Sequence, residues 1–535
     1  MRKTATEKPE SAERPVNHLP LLFVTLMIVM LLASLSQMIL STALPTIVGE
    51  LHGVQNMMWV ITAYMLASTI TMPVYGKLGD QHGRKPMLLV AIGFFLVGSV
   101  LGGFAQDMNW LIFARTIQGL GGGGLIILSQ AAVADFVPAR ERGKFAGVMG
   151  GVFAVSSVAG PLLGGWFTEG PGWRWAFWLN IPLAVLAVLA IITLMPSVQN
   201  TAAKTARVDR LGIAFMSLAT TSIILIAIWG GHQYAWASPQ IIGLAIGAAI
   251  TSVLFVLTEN RAQHPVIPLS LFKNRNFVLT TTAGLATAVA MFGAIGYLPT
   301  YFQMAEGVSA AEAGLLMIPM MGSMLVTSVI VGALVSKSGR YKLMPIIGSG
   351  IVALGLWLLS TITVETTLAT ICVYMAVLGL GLGASMQILT LIVQNEFPHR
   401  MVGTATAANN YFRQVGSSLG SAVVGSMFVA RLTSLLVERL PSGALKSHGS
   451  QSLTPALVSS LPVSIKRIII SSYNEALVPI FIYMVPLGLL AAVLLLFVKE
   501  TPLATEIEHE ISTESLAEGQ VLITKFEEDD VHMQH

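Results

Sequence analysis

Two arginines stand where arginine is expensive. Arg115 and Arg413 each fall inside an apolar run long enough to cross a bilayer. A guanidinium in hydrocarbon needs a partner or a water-filled cavity, so such a residue marks a functional path by default. Arg115 lies five residues past Trp110, close enough to an interface to snorkel towards it. Arg413 leaves two readings open, a salt-bridged structural residue or part of a translocation path. A third group of charges lies in Gly76-Lys77-Leu78-Gly79-Asp80-Gln81-His82-Gly83-Arg84-Lys85, between two apolar runs. It reads as a short polar turn. Asp80 can accept hydrogen bonds near a helix N-terminus there, while Arg84 and Lys85 stay in water.

Nothing is arranged for catalysis. No His/Cys/acid cluster lies near a surface, and the Gly119–Gly124 run lacks the Lys-Ser/Thr of a phosphate cradle. No enzyme activity, metal site or cofactor is expected. The single cysteine, Cys372, excludes an intramolecular disulfide and a Cys-cluster metal site. Of the 535 residues 54% are hydrophobic and 11% charged, where a soluble protein has about a quarter charged. A net charge of +3 is too small to imply a nucleic-acid partner. The expected partners are the lipid bilayer and a small-molecule substrate, with no obligate protein partner. A receptor or sensor would need an extramembrane domain that the short polar tails do not supply.

The charged groups are therefore positioned by membrane helices. Runs of about twenty apolar residues give fourteen spans, near 20–42, 57–76, 87–105, 110–133, 145–167, 176–195, 211–230, 240–258, 277–302, 313–335, 343–362, 368–392, 404–429 and 475–498. With the N-terminus inside, 22 of the 30 Lys and Arg fall on inside segments, while the short outside loops carry Arg174 alone. That asymmetry supports the even span count and puts both termini on the cytoplasmic side. The expected organisation is a cytoplasmic tail (1–18), a six-helix bundle (19–197), two inserted helices (198–260) and five helices of a second bundle (261–429). A long outside loop (430–474), the last helix (475–498) and an acidic cytoplasmic tail (499–535) follow.

The insert is located by an internal repeat. Gly76, Leu78, Gly83 and Arg84 match Gly332, Leu334, Gly339 and Arg340 at one offset, with Ser336 in the place of Asp80. Pro138, Arg140 and Gly143 match Pro398, Arg400 and Gly403. Each copy lies eight spans on, so spans 1–6 repeat as spans 9–14. Two similar bundles around a midplane site are what a rocking transporter requires.

With these motifs the chain resembles the major facilitator superfamily, in its branch of fourteen-span drug:proton antiporters. Gly76 to Lys85 matches the family's G-x-L-x-D-x-x-G-R-K loop at every specified position. The resemblance implies that Gly76, Asp80, Gly83, Arg84 and Lys85 latch the two bundles in the outward-open state. Arg115 to Gly119 resembles the R-x-x-x-G motif, whose arginine serves proton coupling in the family. The span-five string with Gly151, Gly160, Pro161, Gly164 and Gly165 resembles the motif of exporters. Trp173 to Pro182 resembles W-R-W-x-F-x-x-N-x-P, whose aromatics suit an interfacial belt. The fold implied is an all-α polytopic membrane protein, two six-helix bundles plus two inserted helices.

One departure bears on the energy source. Many members carry an aspartate in span one, where this chain has Ser36. Serine does not titrate near neutral pH, and no carboxylate stands at mid-depth in any span. Arg115, Asp135, Glu396 and Arg413 are then the candidates for proton coupling. Gln37, Gln118, Tyr297, Tyr301, Gln387, Asn409, Asn410, Tyr411 and Gln414 are the candidates for a low-charge substrate cavity. The expected function is efflux of amphipathic compounds from a bacterial-type inner membrane, driven by the proton gradient. Export of one physiological solute, or transport without protons, is the alternative.

Overall fold

The computed structural model describes residues 19–52, 56–196, 209–231, 233–440 and 462–503. The tail 1–18, residues 441–461 of the expected loop and 504–535 of the acidic tail lie outside the described residues. Thirteen helices among the described residues are long and apolar enough to cross a membrane, and a shorter apolar one, Leu343–Leu359, joins them. In order they are α1 (Leu19–Glu50), α2 (Met57–His82), α3 (Arg84–Gly103), α4 (Met108–Phe136), α5 (Ala139–Glu169), α6 (Trp175–Leu194), α7 (Arg210–Trp229), α8 (Pro239–Arg261), α9 (Arg275–Glu306), α10 (Glu312–Ser338), α11 (Leu343–Leu359), α12 (Leu368–Asn395), α13 (Val402–Arg439) and α14 (Ser464–Leu496). Helices are forced here because every backbone polar group in lipid must be satisfied within its own segment. Asp107, Asp209, Ser238, Asn274 and Thr367 cap the starts of α4, α7, α8, α9 and α12 through their side chains.

Helices α1–α6 close on a core that includes Leu26, Val29, Phe95, Leu125 and Ile191. Helices α9–α14 close on a second, with Met320, Leu356, Leu378 and Phe481. The inserted pair divides its roles. Helix α7 lies against α2 and α13: the rings of Trp59 and Trp229 are 5.9 Å apart, and the hydroxyls of Thr220 and Tyr411 are 2.7 Å apart. Helix α8 packs on α7 and exposes Ile242, Ile246, Ile250, Val253 and Leu257, as a lipid-facing helix does. So α7 seals the side of a bundle seam, and α8 meets lipid.

Four expectations need correction. The stretch Gly76–Lys85 is not a turn, because α2 continues to His82 and α3 begins at Arg84. Only Gly83, at φ +92°, breaks the helix, a conformation that glycine adopts without strain. The loop expected over 430–474 is helical at both ends. Helix α13 has 38 residues, roughly 57 Å at the α-helical rise, against about 30 Å of hydrocarbon. Its end runs beyond the apolar core beside the start of α14. Phe428 meets Tyr473 at 4.7 Å, and Arg439 grips Glu475 with two hydrogen bonds of 2.8 and 2.6 Å. Arg84, expected to stay in water, is buried, and in the aromatic segment Trp173 and Phe177 are buried while Trp175 is exposed. Trp173 Nε1 and Arg174 Nη1 both donate to Glu50, at 2.7 and 2.6 Å, fastening this segment to the end of α1.

Candidate functional site

The two bundles meet closely on the face that carries Gly83, called the near face below. Asp80, in the last turn of α2, is the focus. Its Oδ1 accepts Arg84 Nη2 at 2.5 Å and the Gly403 N–H at 3.1 Å. Its Oδ2 accepts both the N–H and the hydroxyl of Thr404, each at 2.6 Å. Gly403 and Thr404 open α13, where N–H groups lack helical partners and the helix dipole is positive. Arg84 reaches on to Asp135 Oδ2 at 3.2 Å, and His399 Nε2 lies 3.3 Å from Asp135 Oδ1. The Asp80, Arg84 and Asp135 side chains are 5%, 5% and 14% exposed, so their charges must balance locally. One guanidinium and about half a positive charge from the helix end offset most of the two carboxylates, and His399 faces the remainder. Lys85 donates instead to the carbonyls of Ile192 and Met195, at 2.8 and 2.7 Å, holding α3 to α6. Glycine makes the approach possible: a methyl at Gly76 would lie 2.7 Å from the Gly403 carbonyl oxygen.

The repeat builds a second closure of opposite polarity. Helix α5 crosses α10 so closely that a methyl at Gly332 would lie 2.2 Å from the Gly143 oxygen. Ser336 takes the place of Asp80, and its side chain is not the tether. Arg140, at the start of α5, donates to the carbonyls of Ser336 at 3.3 Å and Lys337 at 3.2 Å, at the end of α10. A cation here meets the negative end of a helix, where Asp80 meets a positive one. The acid missing from the second copy is replaced by this arginine.

Between the closures the seam is lined by amides. Asn410 Nδ2 donates to Gln130 Oε1 at 3.0 Å, linking α13 to α4. Gln394 Nε2 donates to the Gln130 carbonyl at 3.4 Å and to Thr406 Oγ1 at 3.3 Å. Arg413 Nη2 donates to Asn410 Oδ1. Gln387 lies against Gly150 of α5, and Met72, Ile127 and Ala407 form an apolar contact across the seam. Gln414 is half-buried one turn past Asn410, on the same side of α13. Gln394 was missed in the sequence, although it follows Gln387 by two helical turns and so shares its face.

The other expected residues are placed elsewhere. Arg115 Nη1 donates to Gln118 Oε1 at 2.5 Å, its Nε to the Val60 carbonyl at 3.3 Å, and its guanidinium lies over Tyr64 at 4.1 Å. Gln118 Nε2 donates to Ser36 at 3.1 Å and Ser99 at 2.8 Å, and Asn180 reaches the same two hydroxyls. This network is internal to the first bundle, is neutral apart from Arg115, and takes Gln118 away from the seam. Arg115 does not snorkel; it is 1% exposed. Tyr301 accepts from Asn474 of α14 at 2.8 Å and Tyr411 bonds Thr220 of α7, so both hydroxyls are engaged away from the other bundle. Tyr297 donates to the Ser421 carbonyl at 3.1 Å, Asn409 faces the Gly284 side of α9, and Gln37 is half-buried on α1. Glu396 accepts from Asn274, Asn276 and Thr501, tying the chain's last described residues to α9. The four proton-coupling candidates are thus not brought together. On α5, Gly151 packs on Leu325 of the second bundle, while Gly160 and Gly164 pack on α1. Pro161 lies within the unbroken helix against Gly314, and nothing approaches Gly165. Among the described residues no cluster of His, Cys, Asp or Glu is placed to hold a metal ion.

Two pseudo-repeated bundles tethered at one face around a polar seam define a membrane transporter, not an enzyme. The sequence model of the Major Facilitator Superfamily matches residues 26–421, and the chain belongs to that family. It is 38% identical over 483 residues to an uncharacterized MFS-type transporter of Mycobacterium tuberculosis, covering 90% of this chain and 70% of the relative. It is also 38% identical over 420 residues to the multidrug transporter protein MdtP of Bacillus subtilis, covering 78% and 77%. Multidrug resistance protein 3 of the same organism is 32% identical over 494 residues, covering 90% and 96%. The fold is shared with the proton:xylose symporter XylE, at TM-score 0.61 and 16% identity over 91% of this chain and 98% of that one.

Proposed function

We propose that this protein is a secondary exporter of amphipathic, weakly charged organic compounds, working by alternating access. The observation that carries the proposal is the seam itself. Helix-end tethers close it at the near face, and behind them it presents Gln130, Gln387, Gln394 and Asn410 rather than carboxylates. Amides and adaptable apolar groups recognise varied neutral surfaces. The relatives named as multidrug proteins support efflux as the direction. The near face is then cytoplasmic, in a bacterial-type inner membrane; the Lys/Arg asymmetry supports this orientation. The proton gradient is the proposed energy source, with no cofactor. Everted vesicles carrying the protein should take an amphipathic dye into their lumen when energised, since their cytoplasmic face points outward. Failure with every amphipathic dye tried would refute the proposal.

A second reading, export without protons, is favoured by one feature. Ser36 is held by neutral Gln118 and Asn180, and Arg115 faces neutral partners. Efflux that ignores an imposed pH gradient would decide for it.

A further inference from the structure

The inserted helices meet α2 at the near face around two carboxylates that the tether does not use. Asp209 caps α7, its Oδ1 accepting the Gly212 N–H at 2.8 Å. Glu259, near the end of α8, is 3% exposed, and its Oε1 accepts the Val266 N–H at 3.1 Å. The second oxygen of each, Asp209 Oδ2 and Glu259 Oε2, is shut off from solvent and has no hydrogen-bond partner. Both side chains converge on Gly212: a methyl there would lie 2.4 Å from Asp209 Oδ2 and 2.9 Å from Glu259 Oε1. Those two oxygens are therefore no further apart than the sum of these distances. Asp209 also lines a small cavity with Lys77 and Gln81 of α2 and His264 from the segment after α8. The charged and titratable groups facing the pair are Lys77 and His264; residues 266–267 bring backbone amides, and Arg210 is exposed.

Two carboxylates brought this close out of water resist being ionised together. A proton on either unpartnered oxygen turns that oxygen into a donor, since a protonated carboxyl donates where a carboxylate only accepts. We infer that Asp209 and Glu259 share a proton and form a proton-binding site at the joint between the inserted helices and α2. The proton comes from water at the near face and returns there when the pair separates. One residue holds it as carboxyl and donates to the carboxylate of the other. The site adjoins the tether through Lys77, one helical turn before Asp80. Loss of the proton leaves two facing carboxylates, one on each inserted helix, and opposes the packing of α7 on α8.

The test uses full-length protein in lipid nanodiscs, titrated from acid to alkaline pH without substrate or gradient and followed by infrared difference spectroscopy. The parent protein should lose a protonated-carboxyl C=O band as pH rises. Asp209→Asn and Glu259→Gln, each alone, should lack that band, because the new amide NH2 takes the place of the proton. A band of parental size in either variant overturns the shared site. Melting is measured alongside as a guard against misfolding. A bound proton stabilises at low pH and is lost as pH rises, so the parent's melting temperature should fall with rising pH. The amide variants should melt as the parent does at acid pH and show a flatter decline. A decline as steep as the parent's overturns the inference. No transport is measured, so the outcome is separable from whether efflux is proton-driven.

Discussion

Thr404 gives one oxygen of Asp80 two hydrogen bonds, from its backbone N–H and its hydroxyl, both at 2.6 Å. A carboxylate of one bundle thereby serves as the N-terminal cap of a helix in the other. In the proposed alternating-access cycle, rotation of the bundles would remove α13 from α2, so the contact belongs to the state closed at the near face. Thr404→Val keeps the N–H and removes the hydroxyl. It should weaken closure by about 1 kcal/mol, a fivefold shift or so in the open population. Efflux rate and the distance between spin labels on the two bundles would report it.

The second closure is tested at Arg140. Its two charge-assisted bonds to the end of α10 are worth about 1.5–3 kcal/mol each before the cost of ordering the side chain. Arg140→Gln is expected to lower efflux several-fold and leave substrate affinity near the parent value. Arg140→Lys, which keeps the charge, should recover part of the loss.

Gly332→Val puts a branched side chain where a single methyl would already lie 2.2 Å from the Gly143 oxygen. Helices α5 and α10 must then part at the near face. The protein is expected to assemble in the membrane but to stay open there, with little efflux and a lower melting temperature. Parent-like efflux would show that the helices do not need this contact.

Gln130 and Asn410 are suited to a double-mutant cycle with leucine at each position. Hydrogen bonds between membrane helices average about 0.6 kcal/mol of coupling, so the cycle should return a value near that in melting experiments. In transport each single change should alter which dyes are exported more than how fast.

Ser36→Asp restores an acid beside Gln118, one side chain from Arg115. It should fold, because Gln118 and Asn180 already donate to Ser36. The pH profile of efflux should change in this variant. An unchanged profile would show that the Arg115 network takes no part in energy coupling.

The spans, the repeat and the eight-span offset were legible in the sequence because bilayer thickness and motif spacing are one-dimensional. Three-dimensional partners were not. Asp80 was legible as the acceptor of a helix end, but which helix it caps depends on how α13 crosses α2. The polarity reversal at Ser336 was hidden because its tether comes from Arg140, nearly two hundred residues away in the chain. The outer ends of α13 and α14 read as loop because charges such as Arg431 and Lys466 signal the end of a span. They do not signal the end of a helix. Tyr301 and Tyr411 read as cavity residues by type, and only packing shows their hydroxyls turned to α14 and α7.

The central claim is that Asp80 holds the near face shut by capping α13. It is tested by the reactivity of Ile127→Cys in a Cys372→Ser background. Ile127 is buried across the seam against Met72 and Ala407. A membrane-impermeant thiol reagent added at the near face should label this site slowly in the parent. Adding Asp80→Asn should raise the rate at least tenfold, equivalent to about 1.4 kcal/mol of lost closure. Equal labelling rates with and without the carboxylate would contradict the claim.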